Sequence, residues 1–166
     1  MAEHGGGEQR RAEEDVAEQG MAAQGMAEQG MAEQGMRARR EVLGDAHVDR
    51  AVAATTEFTA PFQDLITRYA WGEIWCRPGL TRAERSIITL TALAALRQEE
   101  ELAMHVRAAL RNGLTPAQIQ EVLLQVAVYA GVPAANRAFA VAQGVLAQQP
   151  AHEPGPAPAA GTEGVS

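Results

Sequence analysis

The sequence lacks lysine, contains one cysteine and has only 4% aromatic residues. The absence of lysine excludes Schiff-base chemistry on a lysine amine. With Cys76 alone, the chain cannot form an intrachain disulfide, a Cys-x-x-Cys redox pair or a thiolate metal cluster. The longest apolar run, residues 87–96, covers about half of a membrane span, and the acidic N-terminus lacks the apolar core of a secretory signal. We therefore expect a soluble, cytoplasmic protein with no membrane partner.

Net charge is also scarce in the middle of the chain. The formal net charge of −7 comes from the ends, because residues 1–35 hold two arginines and eight acids, and Glu153 and Glu163 add two more acids. Residues 36–148 hold twelve arginines against eleven acids, so this segment is nearly neutral. A nucleic-acid-binding domain needs a basic face on its folded part. The charge distribution therefore gives no support for a nucleic-acid partner.

The first 35 residues carry a tandem repeat. Residues 16–35 consist of four five-residue units, each ending in Gln-Gly. Ala, Glu, Gln and Met favour helix, but each of the four glycines costs about 1 kcal/mol relative to alanine, so the repeat predicts at most a frayed helix. The prolines and small residues of 149–166 indicate a second disordered segment. We therefore predict disordered tails at 1–35 and 149–166 around a folded domain at 36–148.

The signals within residues 36–148 are those of an all-α fold. Thr81 and Glu84 have the spacing of a capping box, and so do Thr115 and Gln118. No segment shows the sustained alternation that is typical of a sheet. We predict a compact domain of six to seven helices, near residues 37–43, 48–57, 59–71, 82–97, 99–112, 116–130 and 134–147. The helix at 82–97 is apolar nearly all round in its second half, which indicates a central position or cover by a neighbouring subunit in a homo-oligomer.

His105 is the candidate for acid–base chemistry. Together with Leu102, Val106 and Ala109 it forms a stripe at helical spacing, so we expect it on the buried face of its helix. Glu101 lies four residues earlier, and a buried histidine near a carboxylate can hold a proton at neutral pH, as a general acid requires. A hydrogen-bonded core histidine is the alternative interpretation. His105 and Glu101 would give a metal ion only two ligands from one helix, which is too few for a metal site, so no metal is predicted.

Four further residues lie close to one another in sequence and suit substrate binding. Trp71 and Trp75 are one helical turn apart, and either line a pocket or pack in the core. Arg77 and Arg85 can bind a carboxylate in a bidentate way if they point inward, and otherwise lie in solvent. The sequence contains neither a Gly-x-Ser-x-Gly nucleophile motif nor a Gly-rich phosphate loop. The sequence therefore leaves two possibilities, a reaction without a cofactor or no catalytic activity.

Four segments in order resemble the 4-carboxymuconolactone decarboxylase family, within the alkylhydroperoxidase-like superfamily. They are Val-Leu-Gly-Asp-Ala-His-Val-Asp-Arg at 42–50, Trp-Gly-Glu-Ile-Trp-Cys-Arg-Pro-Gly-Leu at 71–80, His-Val-Arg-Ala-Ala at 105–109 and Tyr-Ala-Gly-Val-Pro-Ala-Ala-Asn at 129–136. The resemblance runs from about Gln34 to Leu146. Peroxidase members of the superfamily use a Cys-x-x-Cys pair, whereas Gln98 and Glu101 occupy those positions here, which excludes that thiol chemistry.

The resemblance implies a reaction and an assembly. The reaction is cofactor-independent decarboxylation of 4-carboxymuconolactone, a dicarboxylate lactone, to 3-oxoadipate enol-lactone in the protocatechuate branch of aromatic catabolism. The assembly is a ring-shaped homo-oligomer, a hexamer. Two alternatives stay open: a non-enzymatic helical oligomerisation module, and a related decarboxylase or peroxidase-like member that acts on another substrate.

On this hypothesis each candidate residue has a role. His105 delivers a proton, Glu101 orients and tunes its imidazole, and the two arginines contact the substrate carboxylates and the developing oxyanion. Catalytic roles are therefore expected for His105, Glu101 and Arg85, and a substrate-binding role for Arg77. The remaining residues expected to line the same pocket are Trp71, Trp75 and Glu73.

Overall fold

Seven α-helices and one π-helix make up the part of the chain that the structure describes, and no strand lies within it. The computed structural model describes the backbone of residues 5–148 and the side chains of residues 16–148. The predicted all-α fold is confirmed; the predicted tail at 149–166 lies outside the described residues. In chain order the elements are α1 (Gly5–Leu43), α2 (Asp45–Ala53), α3 (Ala60–Ile66), π1 (Thr67–Ile74), α4 (Arg82–Ala95), α5 (Glu99–Arg111), α6 (Pro116–Tyr129) and α7 (Val132–Leu146).

Both predicted capping boxes are confirmed. The Thr81 hydroxyl accepts a hydrogen bond from the backbone N–H of Glu84 at 3.2 Å, and the Glu84 carboxylate accepts one from the backbone N–H of Thr81 at 2.7 Å. Thr115 and Gln118 make the same reciprocal pair at the start of α6. Each box satisfies two backbone donors that a helix start would otherwise leave without a partner. Gly113 follows α5 with φ of +97°, a left-handed conformation that ends the helix.

The helix predicted near 59–71 continues beyond residue 71 as a wider π-helix. From Thr67 to Ile74 the backbone follows a π-helix, and at its end the N–H of Trp75 donates to the carbonyl of Ala70, five residues back, at 2.9 Å. The predicted end near residue 71 is therefore wrong. Periodicity alone could not reveal this, because a π-helix differs from an α-helix by a single residue per hydrogen-bonded ring. The π-helix carries Trp71 and leads directly into Trp75.

Helix α1 runs through the repeat that the sequence predicts to be disordered. Its last repeat glycine, Gly35, is buried against π1, where a Cβ atom would meet the carbonyl oxygen of Thr67 and lie 2.8 Å from the backbone nitrogen of Gly72. Two glycines thus allow the two helix backbones to approach closely. The structure describes a helix from Gly5 onward where the sequence predicts a disordered tail, and tertiary packing at Gly35 offsets the low helix propensity of glycine at the end of the repeat. Residues 1–4 lie outside the described residues.

Buried apolar side chains form two clusters. The larger one joins α4, α5, α6 and α7, with Leu90, Leu102, Ile119 and Leu123 among its fully buried members. The smaller one joins α1, α2, π1 and α5 and consists of Val42, Leu43, Val48, Trp71 and Ala108, with Met36, Ala70, Trp75 and Met104 packed against it. We call it the N-terminal core cluster. It supports the residues described next.

The outer face of α4 is not covered by the chain itself. Leu90 and Ala94 are buried, but Ile88 and, just after the helix, Leu96 are 55% and 69% exposed, so the chain itself covers only part of the apolar surface of this helix. Exposed apolar side chains also occur at the junction of α6 and α7, where Tyr129 and Val132 are 81% and 71% exposed. None of the described helices combines the length and hydropathy needed to cross a bilayer.

Candidate active site

His105 lies on α5 with its ring against a tryptophan. The expected stripe is confirmed, since Leu102, Val106 and Ala109 are almost completely buried and His105 is partly buried beside them. The His105 imidazole stacks on the Trp75 indole with ring centroids 6.5 Å apart and planes 19° from parallel. Trp75 in turn stacks on Trp71 at 5.1 Å and 29°. Three aromatic rings therefore follow one another from the N-terminal core cluster to His105.

The surroundings of His105 favour the neutral imidazole. Burial lowers its pKa to about 4, a positive charge on His47 acts in the same direction, and the charge of Glu101 acts against both. The sequence-based expectation of a protonated ring at neutral pH is therefore wrong for the protein without substrate, because desolvation outweighs the carboxylate. The Nδ1 atom of His105 is buried and has no hydrogen-bond partner among the described residues. A neutral imidazole has one N–H donor and one acceptor nitrogen. Whichever of the two Nδ1 provides, it is unused by the described residues.

Glu101 is exposed on the first turn of α5 and makes no side-chain hydrogen bond to His105 within the described part of the chain. It acts on the imidazole through its charge, which raises the pKa of His105. Orientation of the ring comes instead from the stacking contact with Trp75.

His47 is a second imidazole whose charge acts on His105, and no role was predicted for it from the sequence. It lies on α2, partly buried, next to the fully buried Val48 of the N-terminal core cluster. Its pKa is lowered, chiefly by burial and then by the positive charge of Arg39. The signal was present in the sequence, since His47 stands in the segment at 42–50 that carries the family resemblance.

The turn that holds His47 is fixed by an arginine from α5. The Nη1 atom of Arg111 donates to the carbonyl of Val42 at 3.0 Å, at the carboxyl end of α1. Gly44 connects α1 to α2 with φ of +86°, and a Cβ atom there would lie 2.8 Å from the Arg111 guanidinium. Only glycine fits this conformation against the packed guanidinium. The arrangement ties the carboxyl end of α1, and the turn that leads into α2 and His47, to α5.

Arg39 was also missed. It is 5% exposed, and its Nη1 atom donates to the side-chain oxygen of Gln63 on α3 at 3.1 Å. Its Nε atom is buried without a hydrogen-bond partner among the described residues, and burial lowers the pKa of the guanidinium. The sequence signal was its spacing: Arg39 precedes Val42 and Leu43 by three and four residues, so it shares their buried face.

A cavity of about 410 Å³ opens beside Trp75. Its lining is rich in arginine, and Arg82 of that lining pairs with Glu41 on α1. The lining residues are Gln34, Arg37, Ala38, Glu41, Trp75, Cys76, Arg77, Leu80, Thr81 and Arg82. Of the predicted site residues, Trp75 and Arg77 therefore share one cavity. His105 does not line it but stacks on Trp75, which does.

Three predicted pocket residues do not line this cavity. Trp71 is buried in the N-terminal core cluster, and Glu73 is exposed to solvent on π1. Arg85 is partly buried, and its Nη2 atom donates to the backbone carbonyl of Arg77 at 2.8 Å. That bond ties the segment carrying Arg77 to α4. The Nε atom of Arg85 is buried and has no partner among residues 16–148.

In the described part of the chain, no three His, Cys, Asp or Glu side chains lie together in an arrangement that could hold a metal ion. The chemical groups in this region are two imidazoles whose pKa values are lowered chiefly by burial, several guanidinium groups and an apolar aromatic wall. Such a set suits an anionic substrate and proton transfer.

Known proteins with similar sequences share a reaction class. Residues 60–144 match the family described as the carboxymuconolactone decarboxylase family. A 4-carboxymuconolactone decarboxylase of Acinetobacter baylyi is 46% identical over 108 residues, which cover 65% of this chain and 81% of that protein. A nitrosuccinic acid decarboxylase of Metarhizium robertsii is 43% identical over 107 residues, 64% of this chain and 75% of that protein. A 4-carboxymuconolactone decarboxylase of Pseudomonas putida is 51% identical over 37 residues, which cover 22% of this chain and 77% of that protein.

Proposed function

Because the chain belongs to the carboxymuconolactone decarboxylase family, we propose that it is a carboxy-lyase that converts 4-carboxymuconolactone to 3-oxoadipate enol-lactone without a cofactor. The observation that carries the proposal is the juxtaposition at Trp75 of a buried imidazole and an arginine-lined cavity. The relatives named as decarboxylases favour this enzymatic function over a purely structural helical module.

The substrate itself supplies the electron sink. When the bond between the ring and the departing carboxylate breaks, its electron pair passes through the ring double bond to the lactone carbonyl oxygen. The enzyme must therefore hold a dianion, stabilise the charge that develops on that oxygen, and deliver a proton to ring carbon. A cavity of about 410 Å³ has room for such a small molecule.

His105 is the proposed proton donor, and the binding of the substrate is proposed to protonate it. The ring is neutral in the free protein because burial lowers its pKa to about 4. A bound dianion places negative charge in the same poorly solvated surroundings, which raises the pKa of the imidazole and draws a proton from solvent. As carbon dioxide leaves, that proton passes to the ring carbon and His105 returns to its neutral form. Glu101 assists by its charge, which already raises the pKa of His105.

The arginines divide the work of binding and charge stabilisation. Arg77 lines the cavity and is proposed to bind the acetate arm of the lactone. Tight binding of the departing carboxylate would stabilise the ground state and so would not increase kcat. Arg85 holds the segment of Arg77 through its Nη2 atom, and its unused, buried Nε atom is the proposed donor to the developing oxyanion. The apolar wall of Trp75, backed by Trp71, favours the loss of charge as carbon dioxide departs.

The substrates in the names of the two kinds of decarboxylase differ but share a chemical feature. Nitrosuccinic acid carries a carboxylate on the carbon that bears the nitro group, so its decarboxylation also places an electron pair next to a built-in sink. The common requirement is a dianionic substrate and a proton for carbon. His105 and the arginines are proposed to meet that requirement independently of the identity of the sink.

Assembly and location are further parts of the proposal. The exposed apolar side chains of α4 and of the junction of α6 and α7, among them Ile88 and Tyr129, favour a homo-oligomer, for which a hexamer is proposed. Light scattering after size exclusion measures the assembly directly. The free thiol of Cys76 suits a reducing compartment, so we propose a cytoplasmic enzyme.

The test is direct turnover by the full chain. Purified protein is incubated with 4-carboxymuconolactone, and carbon dioxide and enol-lactone are measured together by mass spectrometry. Equal amounts of both products support the proposal. Nitrosuccinate is assayed in parallel, and turnover of nitrosuccinate alone would contradict the substrate while retaining the reaction class. Turnover of neither compound would contradict the proposed function.

A further inference from the structure

Arg39 is a buried cation with no counter-charge. Among the side chains of residues 16–148, no carboxylate forms an ion pair with it, and its pKa is lowered by burial with no compensating acid. The neighbouring Arg40 has the opposite surroundings, since it pairs with Asp45 at 3.1 Å and with Asp49 at 2.8 Å. An unpaired buried charge is costly, and buried charges in proteins are normally paired.

The guanidinium of Arg39 is held in place but not saturated. One of its nitrogens donates to Gln63, whose backbone carbonyl in turn accepts from the Thr67 hydroxyl at 2.7 Å. The neutral Gln63 side chain orients the guanidinium without neutralising it. The Nε atom, one edge of the planar fork that recognises carboxylates, is buried and unused by the described residues.

Arg39 also belongs to the same part of the fold as the two histidines. It lies one turn before Val42, which packs with Val48 and Ala108 in the N-terminal core cluster. Val48 follows His47 on α2, and Ala108 lies one turn after His105 on α5. The charge of Arg39 lowers the pKa of His47, and the charge of His47 lowers the pKa of His105. Three elements thus present positive or protonatable groups around one cluster, and no carboxylate of the described residues pairs with Arg39.

We propose that Arg39 is the buried carboxylate-binding residue of the active site, and that it takes one carboxylate of the dianionic substrate through its unused Nε edge. The inference rests on the proposed function for the identity of that substrate. The existence of the anion site does not depend on the proposed function.

Anion binding can be measured without turnover. The probe is succinate, a small dicarboxylate, and dimethyl succinate is the uncharged control, both at constant ionic strength. Binding is followed by isothermal titration and by the shift in thermal midpoint of the full-length protein. The variants are Arg39→Met, Arg39→Lys and the matched control Arg40→Met, one residue along the same helix.

We expect Arg39→Met and Arg39→Lys each to weaken succinate binding by about 10-fold to 100-fold, the loss expected for a charge-assisted hydrogen bond in a buried site. Lysine fails as a replacement because it lacks the planar fork and loses its proton readily when buried. Arg40→Met should bind succinate as the parent does, and dimethyl succinate should bind none of the proteins measurably. The same two Arg39 variants should raise KM for the lactone.

Thermal stability separates this role from a structural one. Removal of an unpaired buried charge should leave the thermal midpoint of Arg39→Met without succinate equal to or above that of the parent. A folded Arg39 variant that binds succinate as tightly as the parent would overturn the inference, and so would a lower midpoint in Arg39→Met combined with parent-like binding in Arg39→Lys. If the parent binds succinate through Arg39 but does not decarboxylate the lactone, the proposed function fails and this inference stands.

Discussion

The imidazole of His105 lies nearly parallel to the indole of Trp75, 6.5 Å between ring centroids, and the same indole forms part of the wall of the arginine-lined cavity. One side chain therefore contacts both the candidate proton donor and the space that can admit a substrate. The contact also explains the electrostatics, because an aromatic face beside the imidazole replaces water and disfavours its charged form. Burial beside Trp75 thus favours the neutral form of His105 in the free protein.

Replacement of His105 by asparagine should reduce kcat on the lactone by two to four orders of magnitude, the typical contribution of a general acid. Asparagine keeps a polar side chain of similar size, so the helical signal should be retained. Glu100→Gln, an exposed change on the same helix, is the matched control and should leave kcat unchanged. Near-normal turnover by His105→Asn would remove His105 from the mechanism.

Protein stability should fall as the pH is lowered from about 6.5 to about 4. The unfolded chain binds a proton on His105 near its ordinary pKa of 6.5, whereas the folded protein binds it only near 4, so acid favours the unfolded state within this window. The loss approaches about 3 kcal/mol for a shift of this size. Chemical denaturation of the parent and of His105→Asn at several pH values measures it. The variant should show a shallower slope, and equal slopes would contradict a buried neutral His105.

Binding of a dicarboxylate should draw a proton into the protein. At pH 6 the ring of His105 is neutral in the free protein, and a bound anion raises its pKa. Titration of succinate in buffers of different ionisation enthalpy counts the protons taken up. We expect uptake of a substantial fraction of a proton by the parent and much less by His105→Asn. A binding enthalpy that does not vary with the buffer would show that His105 stays neutral with the anion bound.

Local signals predicted most of the fold. The starts of α4 and α6 follow from capping boxes within four residues of sequence, and the stripe around His105 follows from helical spacing. These features are set by neighbours along the chain. The family resemblance also identified the segment from 42 to 50, although its histidine was not assigned a role.

The features that sequence reasoning missed depend on contacts between distant segments. In the sequence Gly35 is one of four repeat glycines that weaken a helix. Only the structure shows that it packs against π1. The widening of the helix at Thr67 has no periodic signature. Arg39 meets Gln63 across 24 residues, and the positive charge of His47 opposes protonation of His105 across 58 positions in the chain. A carboxylate four residues from a histidine suggested protonation, but burial by elements far away in sequence decides the pKa.

Arg77 and Arg85 should give different kinetic defects. Arg77 lines the cavity, so Arg77→Ala should raise KM by about 10-fold or more with a smaller change in kcat, the result expected for a residue that binds the ground state. Arg85→Ala removes both the bond to the Arg77 carbonyl and the proposed oxyanion donor, so kcat and kcat/KM should fall together. Steady-state kinetics on the lactone separates the two. A pure KM effect in Arg85→Ala would contradict its proposed role at the oxyanion.

The last repeat glycine should respond to alanine in the opposite way from the glycine five residues before it. Gly30 has no atom within 4 Å of the position of a Cβ, so Gly30→Ala should stabilise the protein by up to about 1 kcal/mol through helix propensity. At Gly35 a Cβ would collide with the backbone of π1 at Thr67 and Gly72, which cannot yield as a flexible side chain can. Gly35→Ala should therefore destabilise by about 1 to 3 kcal/mol and, because π1 carries Trp71 and leads directly into Trp75, should also lower kcat/KM. Denaturant midpoints and kinetics of the two variants test this, and a stabilised, fully active Gly35→Ala would contradict the close crossing of α1 and π1.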